Sequence, residues 1–204
     1  MEKRNKTYVE DLDRGIYDIK NDFKYNFKSE AGLTPDIIRE ISHKKDEPEW
    51  MTEFRLKSLE NFNNIETPTW GPDLSDLDIG EIIHYVQPEV DEQRSWDDVP
   101  EDIKQTFERL GIPQAERNSL AGVGAQYDSE VVYHSMKEEL IQQGVIYMDI
   151  ETALKEHEDI VREYFMTLIP NNDHKYAALH GAVWSGGSFV YVPAGVDVDV
   201  PLQS

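Results

Sequence analysis

The residues of this chain that could do chemistry are its histidines and its many carboxylates, and their spacing decides what they could bind. The six histidines are scattered along the sequence: His43, His84, His134, His157, His174 and His180. His157-Glu158-Asp159 brings three possible metal ligands together, but adjacent positions of a helix point in different directions. We therefore interpret this group as the solvated face of a helix. Asp173-His174 follows Pro170-Asn171-Asn172, where turn chemistry accounts for both residues.

Two further patterns resemble catalytic or cofactor motifs without completing them. Gly122 and Gly124 form a G-x-G pair, but the third glycine of a dinucleotide loop is missing and no strand-like run precedes them. Ser185 and Ser188 lack the G-x-S-x-G context of a nucleophile elbow. The sequence therefore predicts no catalytic, cofactor-binding or metal-ligating residue, and we expect a protein that is not an enzyme.

Composition narrows the function classes further. The sequence contains no cysteine, which removes disulfides, thiolate nucleophiles and cysteine-ligated clusters from its own chemistry. Its formal charge of −21 disfavours nucleic acid and anionic membranes, because both bind clustered Lys and Arg. The N-terminus has no apolar signal region, and no run approaches the roughly 18 apolar residues of a membrane span. We expect a soluble, cytoplasmic protein without nucleic-acid or membrane partners.

Helices are the elements predicted to build the core. Thr34-Pro35 is typical of an N-cap followed by proline in the first turn, and Ile37, Ile38 and Ile41 share a face. A second helix is predicted from Pro48, with a broad apolar stripe formed by Trp50, Met51, Phe54, Leu59 and Phe62. Later helices are predicted around Ile103 and Phe107, over residues 129–143, and through Leu154, Val161 and Leu168 up to Pro170. A short strand is predicted at residues 145–148.

The chain divides into three predicted parts. Residues 1–28 carry charges of both signs without a clean period, which indicates a poorly ordered arm. Residues 29–176 form the helical domain. From residue 177 onward there is no Lys, Arg or Glu, and β-branched and aromatic residues dominate. Local rules predict a hairpin over residues 188–200 around Pro193-Ala194-Gly195, and such a hairpin needs further strands because it is marginal alone.

Five long segments resemble, in order, the SufB family, the scaffold subunits of the SUF iron–sulfur cluster assembly machinery. They are EPEWMTEFRLKSLENF (47–62), TPTWGPDLSDLD (67–78), SWDDVPEDIKQTFERLGIPQAE (95–116), LAGVGAQYDSEVVYHSMKEEL (120–140) and AALHGAVWSGGSFVYVPAGVDVDVPLQ (177–203). The resemblance runs from about Ser29 to Ser204. It departs from the family pattern at His180-Gly181, where the family usually has Asn-Ser, and at Ala194, which replaces a common Lys.

The resemblance implies an α+β fold, in which a mainly helical N-terminal region leads into the first strands of a right-handed parallel β-helix. It implies a non-enzymatic scaffold for iron–sulfur cluster assembly that works with a SufC-like ATPase and a SufD-like subunit. The essential cysteines and the ATPase-docking segment of the family lie downstream of the region matched here. No functional residue is therefore carried over, and an iron–sulfur cluster is implied only for the full-length family member.

The resemblance also predicts that the chain is the truncated front part of a longer protein. A natural truncation, a fragmentary record and an expressed piece are each compatible with the sequence. The alternative from a different functional class is a self-contained acidic helical adaptor of SufB-like fold, without cluster chemistry. A hydrolase or metalloenzyme is a weaker third hypothesis, because no catalytic constellation is present.

Overall fold

The structure is a computed structural model of the chain, and it describes residues 25–89, 96–109, 122–127 and 130–203. Helices alternate with short strands in these ranges, in the order β1 (Tyr25–Lys28), α1 (Pro35–Lys44), α2 (Glu49–Asn64), β2 (Val86–Pro88), α3 (Glu101–Arg109), β3 (Gly122–Tyr127), β4 (Glu130–Met136), α4 (Glu138–Gln142), β5 (Ile146–Asp149), α5 (Ile150–Glu156), α6 (Glu158–Tyr164), α7 (Lys175–Val183), β6 (Ser188–Tyr191) and β7 (Leu202–Gln203). No helix in these ranges combines the length and the apolar character needed to cross a bilayer.

The start of α1 follows the predicted capping signal. The Thr34 hydroxyl accepts a hydrogen bond from the backbone N–H of Ile37 at 3.3 Å, and Pro35 occupies the first turn, where its missing N–H costs nothing. Ile37, Ile38 and Ile41 are all buried, which confirms the predicted face. The helix predicted from Pro48 is likewise confirmed as α2, with Pro48 as its N-cap residue.

The core forms where α2 packs against α1, α7 and the α5–α6 pair. One cluster joins α2 to α1 and α7 through the buried side chains of Ile38, Leu59, Phe62, Ala178 and Ala182. A second cluster joins α2 to α5, α6 and the residue that follows α7, through Met51, Ala153, Leu154, Val161 and Trp184. Each large side chain buried in this way stabilises the fold by about 1.5–3 kcal/mol.

Two regular elements lie at or across the predicted boundaries. Residues 25–28 were expected to belong to the irregular arm, but they form β1, which pairs antiparallel with β2; residues 1–24 lie outside the described residues. The change of composition at residue 177 falls inside α7, whose alanines pack in the helical core. The uncharged, apolar composition that begins at residue 177 therefore belongs first to a buried helix and then to the strands that follow it.

The helix predicted over residues 129–143 is wrong in its first half. Residues 130–136 form β4, which pairs antiparallel with β3, and only Glu138–Gln142 is helical. The β-branched and aromatic residues of EVVYHSM favour a strand once a partner strand is available. That partner contains Gly122 and Gly124, so the G-x-G pair lies in a strand and not in a dinucleotide loop.

The single helix predicted through Leu154, Val161 and Leu168 is also wrong. The chain forms α5 and α6, which meet at His157, where φ of −133° and ψ of 40° leave the helical region. The helical stretch ends at Tyr164, and Leu168 is 97% exposed. Met166, with φ of 50°, turns the chain away from a helical path before the apolar stripe is complete.

The third predicted helix is confirmed in part. α3 begins at Glu101, and Ile103 is fully buried. The side chain of Phe107 and the predicted end at Leu110-Gly111 lie outside the described residues.

The hairpin predicted over residues 188–200 is replaced by pairing with an earlier strand. β6 runs antiparallel to β5, which confirms the strand predicted at residues 145–148. After β6, three alternating valines pack on Leu140 and Val145 instead of forming a second hairpin arm: Val196, Val198 and Val200. β7 then pairs in parallel with β3. A lone hairpin is only marginally stable in water, so pairing with β5 gives β6 a more stable arrangement.

We expect Thr34→Ala to lower the free energy of unfolding by about 0.5–2 kcal/mol, because the backbone N–H of Ile37 loses its side-chain acceptor. Thr67→Ala, at an exposed position of the loop after α2, serves as the matched control and should change stability by less than about 0.5 kcal/mol. Chemical denaturation measures both. Equal losses in the two variants would show that the capping bond contributes nothing.

Candidate functional site

The guanidinium of Arg55, on α2, is fully buried and satisfied by ionic and aromatic contacts. It forms a two-point ion pair with the carboxylate of Glu47, at 2.7 Å from Nε and 2.5 Å from Nη2. Its remaining nitrogen donates to the carbonyl of Ala182 at 3.1 Å, and Cζ lies 4.5 Å from the ring centroid of Trp184. Each nitrogen of the guanidinium therefore has a hydrogen-bond acceptor, which offsets the cost of removing the charge from water.

A second buried ion pair links α1 to the entry of β6. Lys45 Nζ donates to Glu151 Oε1 at 2.8 Å, and the backbone N–H of Gly186 donates to the same oxygen at 2.7 Å. Gly186 and Gly187 have φ of 66° and 120°, which favours glycine at both positions. Glu151 thus fixes the turn through which the chain passes from the helices into β6.

A cluster of neutral polar groups anchors the connector between α6 and α7 to α2. The Asn171 side-chain amide donates to Ser58 Oγ at 2.8 Å, and the Asn61 amide donates to Asn171 Oδ1 at 3.2 Å. Gly181, on α7, lies against this cluster without room for a side chain. A Cβ added there would lie 2.6 Å from Ser58 Oγ and 3.2 Å from Asn171 Cβ. The backbone of α7 at Gly181 therefore lies in direct contact with side chains of α2 and of the connector.

The connector forms one side of an apolar groove of about 720 Å³. The residues that line the groove come from the end of α6, the connector and α7: Tyr164, Met166, Thr167, Leu168, Ile169, His174, Tyr176, Ala177 and His180. Three of them expose most of their surface: Tyr164, Leu168 and Ile169. No carboxylate is among them. In a chain with a formal charge of −21, this groove is an uncharged apolar surface.

Two of the histidines considered in the sequence meet at this groove. His174 is the N-cap of α7, and its Nδ1 accepts hydrogen bonds from the backbone N–H groups of Tyr176 and Ala177 at 3.1 and 3.3 Å. Its proton is therefore assigned to Nε2. His180 keeps an exposed surface, yet burial of its ring and the positive charge of Arg55 lower the pKa of its imidazole.

The remaining candidates are not brought together. His157 separates α5 from α6, and its ring stacks against Phe189 at a centroid distance of 6.5 Å. Ser188 begins β6. Within residues 25–89, 96–109, 122–127 and 130–203, no three His, Asp or Glu side chains form a group that could hold a metal ion. The groove and the two buried ion pairs are the main features of this region instead.

Sequence reasoning missed both features. Arg55 lies four residues after Met51 and four before Leu59, on the buried face of α2, and this spacing was the signal for a buried charge. Leu168 continues an apolar stripe, so the pattern predicted a buried residue where the structure exposes one.

The sequence is similar to proteins of one family. A family model for the SufBD protein N-terminal region matches residues 37–204. The iron–sulfur cluster assembly protein SufB of Bacillus subtilis is 60% identical over 178 residues, which cover 87% of this chain and 38% of that protein.

Two staphylococcal proteins, each named as an iron–sulfur cluster assembly SufBD family protein, show the same relationship. The protein of Staphylococcus saprophyticus is 55% identical over 178 residues, or 87% of this chain and 38% of its own length. That of Staphylococcus haemolyticus is 54% identical over 191 residues, or 90% of this chain and 41% of its own length. The chain thus spans about two fifths of the length of the curated relatives it matches.

We expect Arg55→Leu to lower the free energy of unfolding by about 3–5 kcal/mol, because the carboxylate of Glu47 is left buried without its partner. The matched control is Arg39→Ala, which removes an exposed pair with Asp36 and should cost at most about 1 kcal/mol. Urea denaturation of both variants measures the difference. Similar midpoints for the two variants would contradict the role given to Arg55.

We expect Gly181→Ala to destabilise the fold by about 1–3 kcal/mol, because the new methyl group overlaps with Ser58 Oγ. The same substitution should cost less in a Ser58→Ala background, where that oxygen is absent. A double-mutant cycle by urea denaturation isolates this coupling. An identical cost in both backgrounds would show that the close contact is not what constrains residue 181.

We expect stability to fall as the pH drops below about 6.5, the ordinary pKa of histidine. The pKa of His180 is lowered in the folded state, so the unfolded state takes up the proton at a higher pH than the folded state does. The free energy of unfolding therefore decreases as the pH falls from about 6.5 to that lowered pKa. Burial lowers the pKa of His84 too, and its contribution has the same sign.

Melting temperatures between pH 7.5 and 5 measure this effect. His180→Asn should make the decline shallower, whereas Thr67→Ala, at an exposed position without a titratable group, should leave it unchanged. A slope that is identical in His180→Asn and the unmodified chain would contradict the assignment.

Proposed function

This chain belongs to the SufBD family, whose N-terminal region it matches. On that basis we propose that it forms the N-terminal part of a SufB-like scaffold for iron–sulfur cluster assembly. The observation that carries the proposal is the similarity to the SufB of Bacillus subtilis, whose name states that role. Because the chain spans about two fifths of such a relative, the activity of the whole protein enters as part of the proposal.

The role proposed for this region is to position other parts of the scaffold, without enzymatic activity. The hydrogen bond from Arg55 to the carbonyl of Ala182 fixes α2 against α7, and the pair of Lys45 and Glu151 fixes the turn before β6. These contacts support a rigid helical base from which the strands of the family fold begin. We propose that the following strands form a right-handed parallel β-helix.

We propose that this chain alone does not hold an iron–sulfur cluster. Thiolates are the usual ligands of such clusters, and the sequence contains no cysteine. In this proposal the cluster is the cargo of the complete family protein, and its ligands come from residues outside the region described above.

The partners proposed for the scaffold are a SufC-like ATPase and a SufD-like subunit, and the compartment proposed is the cytoplasm. Membership of the SufBD family supports a place in an iron–sulfur assembly complex. A self-contained adaptor of the same fold is the competing function, and it predicts partner binding without any contribution to cluster assembly.

We expect residues 37–204 to function in place of the matching region of Bacillus subtilis SufB. The resulting chimaera is expressed in B. subtilis cells depleted of their own SufB, and the activity of iron–sulfur enzymes is measured in lysates. Activity should return to the level given by unmodified SufB, and mass spectrometry of the purified chimaera should find SufC-like and SufD-like proteins.

The chimaera carrying Arg55→Leu should fail in the same assay, whereas Arg39→Ala should retain activity. These two controls separate loss of the helical base from a general effect of substitution. A chimaera that folds, as judged by circular dichroism, and yet restores no activity would contradict the scaffold function and favour the adaptor.

We expect anaerobic reconstitution of the 204-residue chain with iron and sulfide to leave no stoichiometric iron after desalting. The physical reason is the lack of thiolate ligands. Visible absorbance and iron analysis measure the result, with the chimaera as the positive control. A cluster retained by the 204-residue chain would show that histidine and carboxylate ligands suffice.

A further inference from the structure

The connector between α6 and α7 is held firmly at both ends. At its start, the ring of Phe165 packs against Phe54 and Trp184, with centroid distances of 5.3 and 5.1 Å. At its other end, Asn171 is hydrogen-bonded to Ser58 and to Asn61. The residues between these two anchors therefore have a defined position, although they lie outside regular secondary structure.

The middle of this connector exposes apolar side chains to solvent. Leu168 is 97% exposed and Ile169 is 61% exposed. Met166 has φ of 50°, a left-handed conformation that costs free energy for a residue with a side chain and persists where the surrounding structure requires it. A connector that is rigid, strained and apolar at its tip is preorganised for binding, because little ordering entropy remains to be lost.

The exposed apolar surface continues beyond the groove at Trp70. Trp70 is 65% exposed, and its ring lies edge-on to His174 at a centroid distance of 5.5 Å. We name this surface, from Trp70 through the groove to Tyr164, the connector patch.

We propose that the connector patch is an internal docking surface, covered in a full-length SufBD protein by an apolar segment of the same polypeptide from beyond residue 204. The matched 178 residues are only 38% of the SufB of Bacillus subtilis, so most of such a protein lies outside this structure. β6 lies beside the start of the connector, because Phe189 and Phe165 pack against the same apolar cluster. The proposal rests on family membership and not on the proposed scaffold function.

The chemistry of the patch sets the character of its occupant. The groove lining contains no carboxylate, although the chain carries a formal charge of −21, so a basic segment would find no charged partner there. Apolar, uncharged side chains complement it best. A second copy of the chain is a poorer occupant, because two bodies of such charge repel each other.

Hydroxyl-radical footprinting tests the proposal by measuring the solvent exposure of individual side chains. The 204-residue chain is compared with the chimaera that carries residues 37–204 in Bacillus subtilis SufB. Oxidation of Trp70, Tyr164 and Leu168 should fall about tenfold or more in the chimaera, as expected for side chains removed from solvent. Ile141 on α4, which is 47% exposed and does not line the groove, is the matched control and should react equally in both.

Equal oxidation of the connector patch in both proteins would overturn the proposal. Protection that disappears on dilution would identify a second copy as the occupant, and protection that requires added SufC-like or SufD-like protein would identify a partner subunit. Either result also overturns internal docking. The enzyme assay of the chimaera is independent of these readings, so a failed scaffold function is distinguishable from an uncovered patch.

A substitution supplies a second readout. Leu168→Asp should leave the melting temperature of the 204-residue chain unchanged, because the side chain is 97% exposed there, but it should lower that of the chimaera. Ile141→Asp, outside the patch, should shift the melting temperatures of both proteins equally. An unchanged melting temperature of the Leu168→Asp chimaera would overturn the proposal even if its oxidation were ambiguous.

Discussion

A guanidinium that has no contact with water must find its hydrogen-bond partners inside the protein, and in this chain that requirement fixes the arrangement of the helices. Arg55 meets it by joining Glu47, before α2, to the carbonyl of Ala182 near the end of α7. A shift of α7 along α2 would separate the charge from this carbonyl and from the ring of Trp184. Because leaving a buried charge without its partners costs several kcal/mol, the register of the two helices is strongly specified.

The close approach of α7 and α2 depends in turn on small residues. Ala178 and Ala182 lie in the core, and Gly181 faces Ser58 and Asn171 at a distance that excludes a side chain. A side chain at residue 181 would force Ser58 or Asn171 to move. Since Asn171 anchors the connector that shapes the groove, the glycine in α7 and the position of the exposed Leu168 belong to one packing arrangement.

Local signals explain which parts of the fold could be predicted. The cap at Thr34, the stripe of α2 and the strand around Tyr147 each depend on nearby residues, and all three were predicted from the sequence. Residues 130–136 and 188–200 depend on a partner strand that is distant in the sequence, so helical or hairpin periodicity gave the wrong answer. The groove was not predictable for a related reason. Periodicity identifies apolar residues, but only the left-handed turn at Met166 decides that Leu168 faces solvent.

The charged groups in the interior bear on the function proposed for this region. Arg55, Glu47, Lys45 and Glu151 are engaged with one another or with backbone groups, and the contacts from Arg55 to Ala182 and from Lys45 to Glu151 join distant parts of the chain. A carboxylate or ammonium committed in this way is not available to bind iron or sulfide without leaving its partner buried and unpaired. The interior chemistry of this region therefore supports a positioning role. Under the proposed function, cluster ligation and positioning are divided between separate parts of one polypeptide, so that loading and release of the cargo need not disturb the charges that hold the helices together.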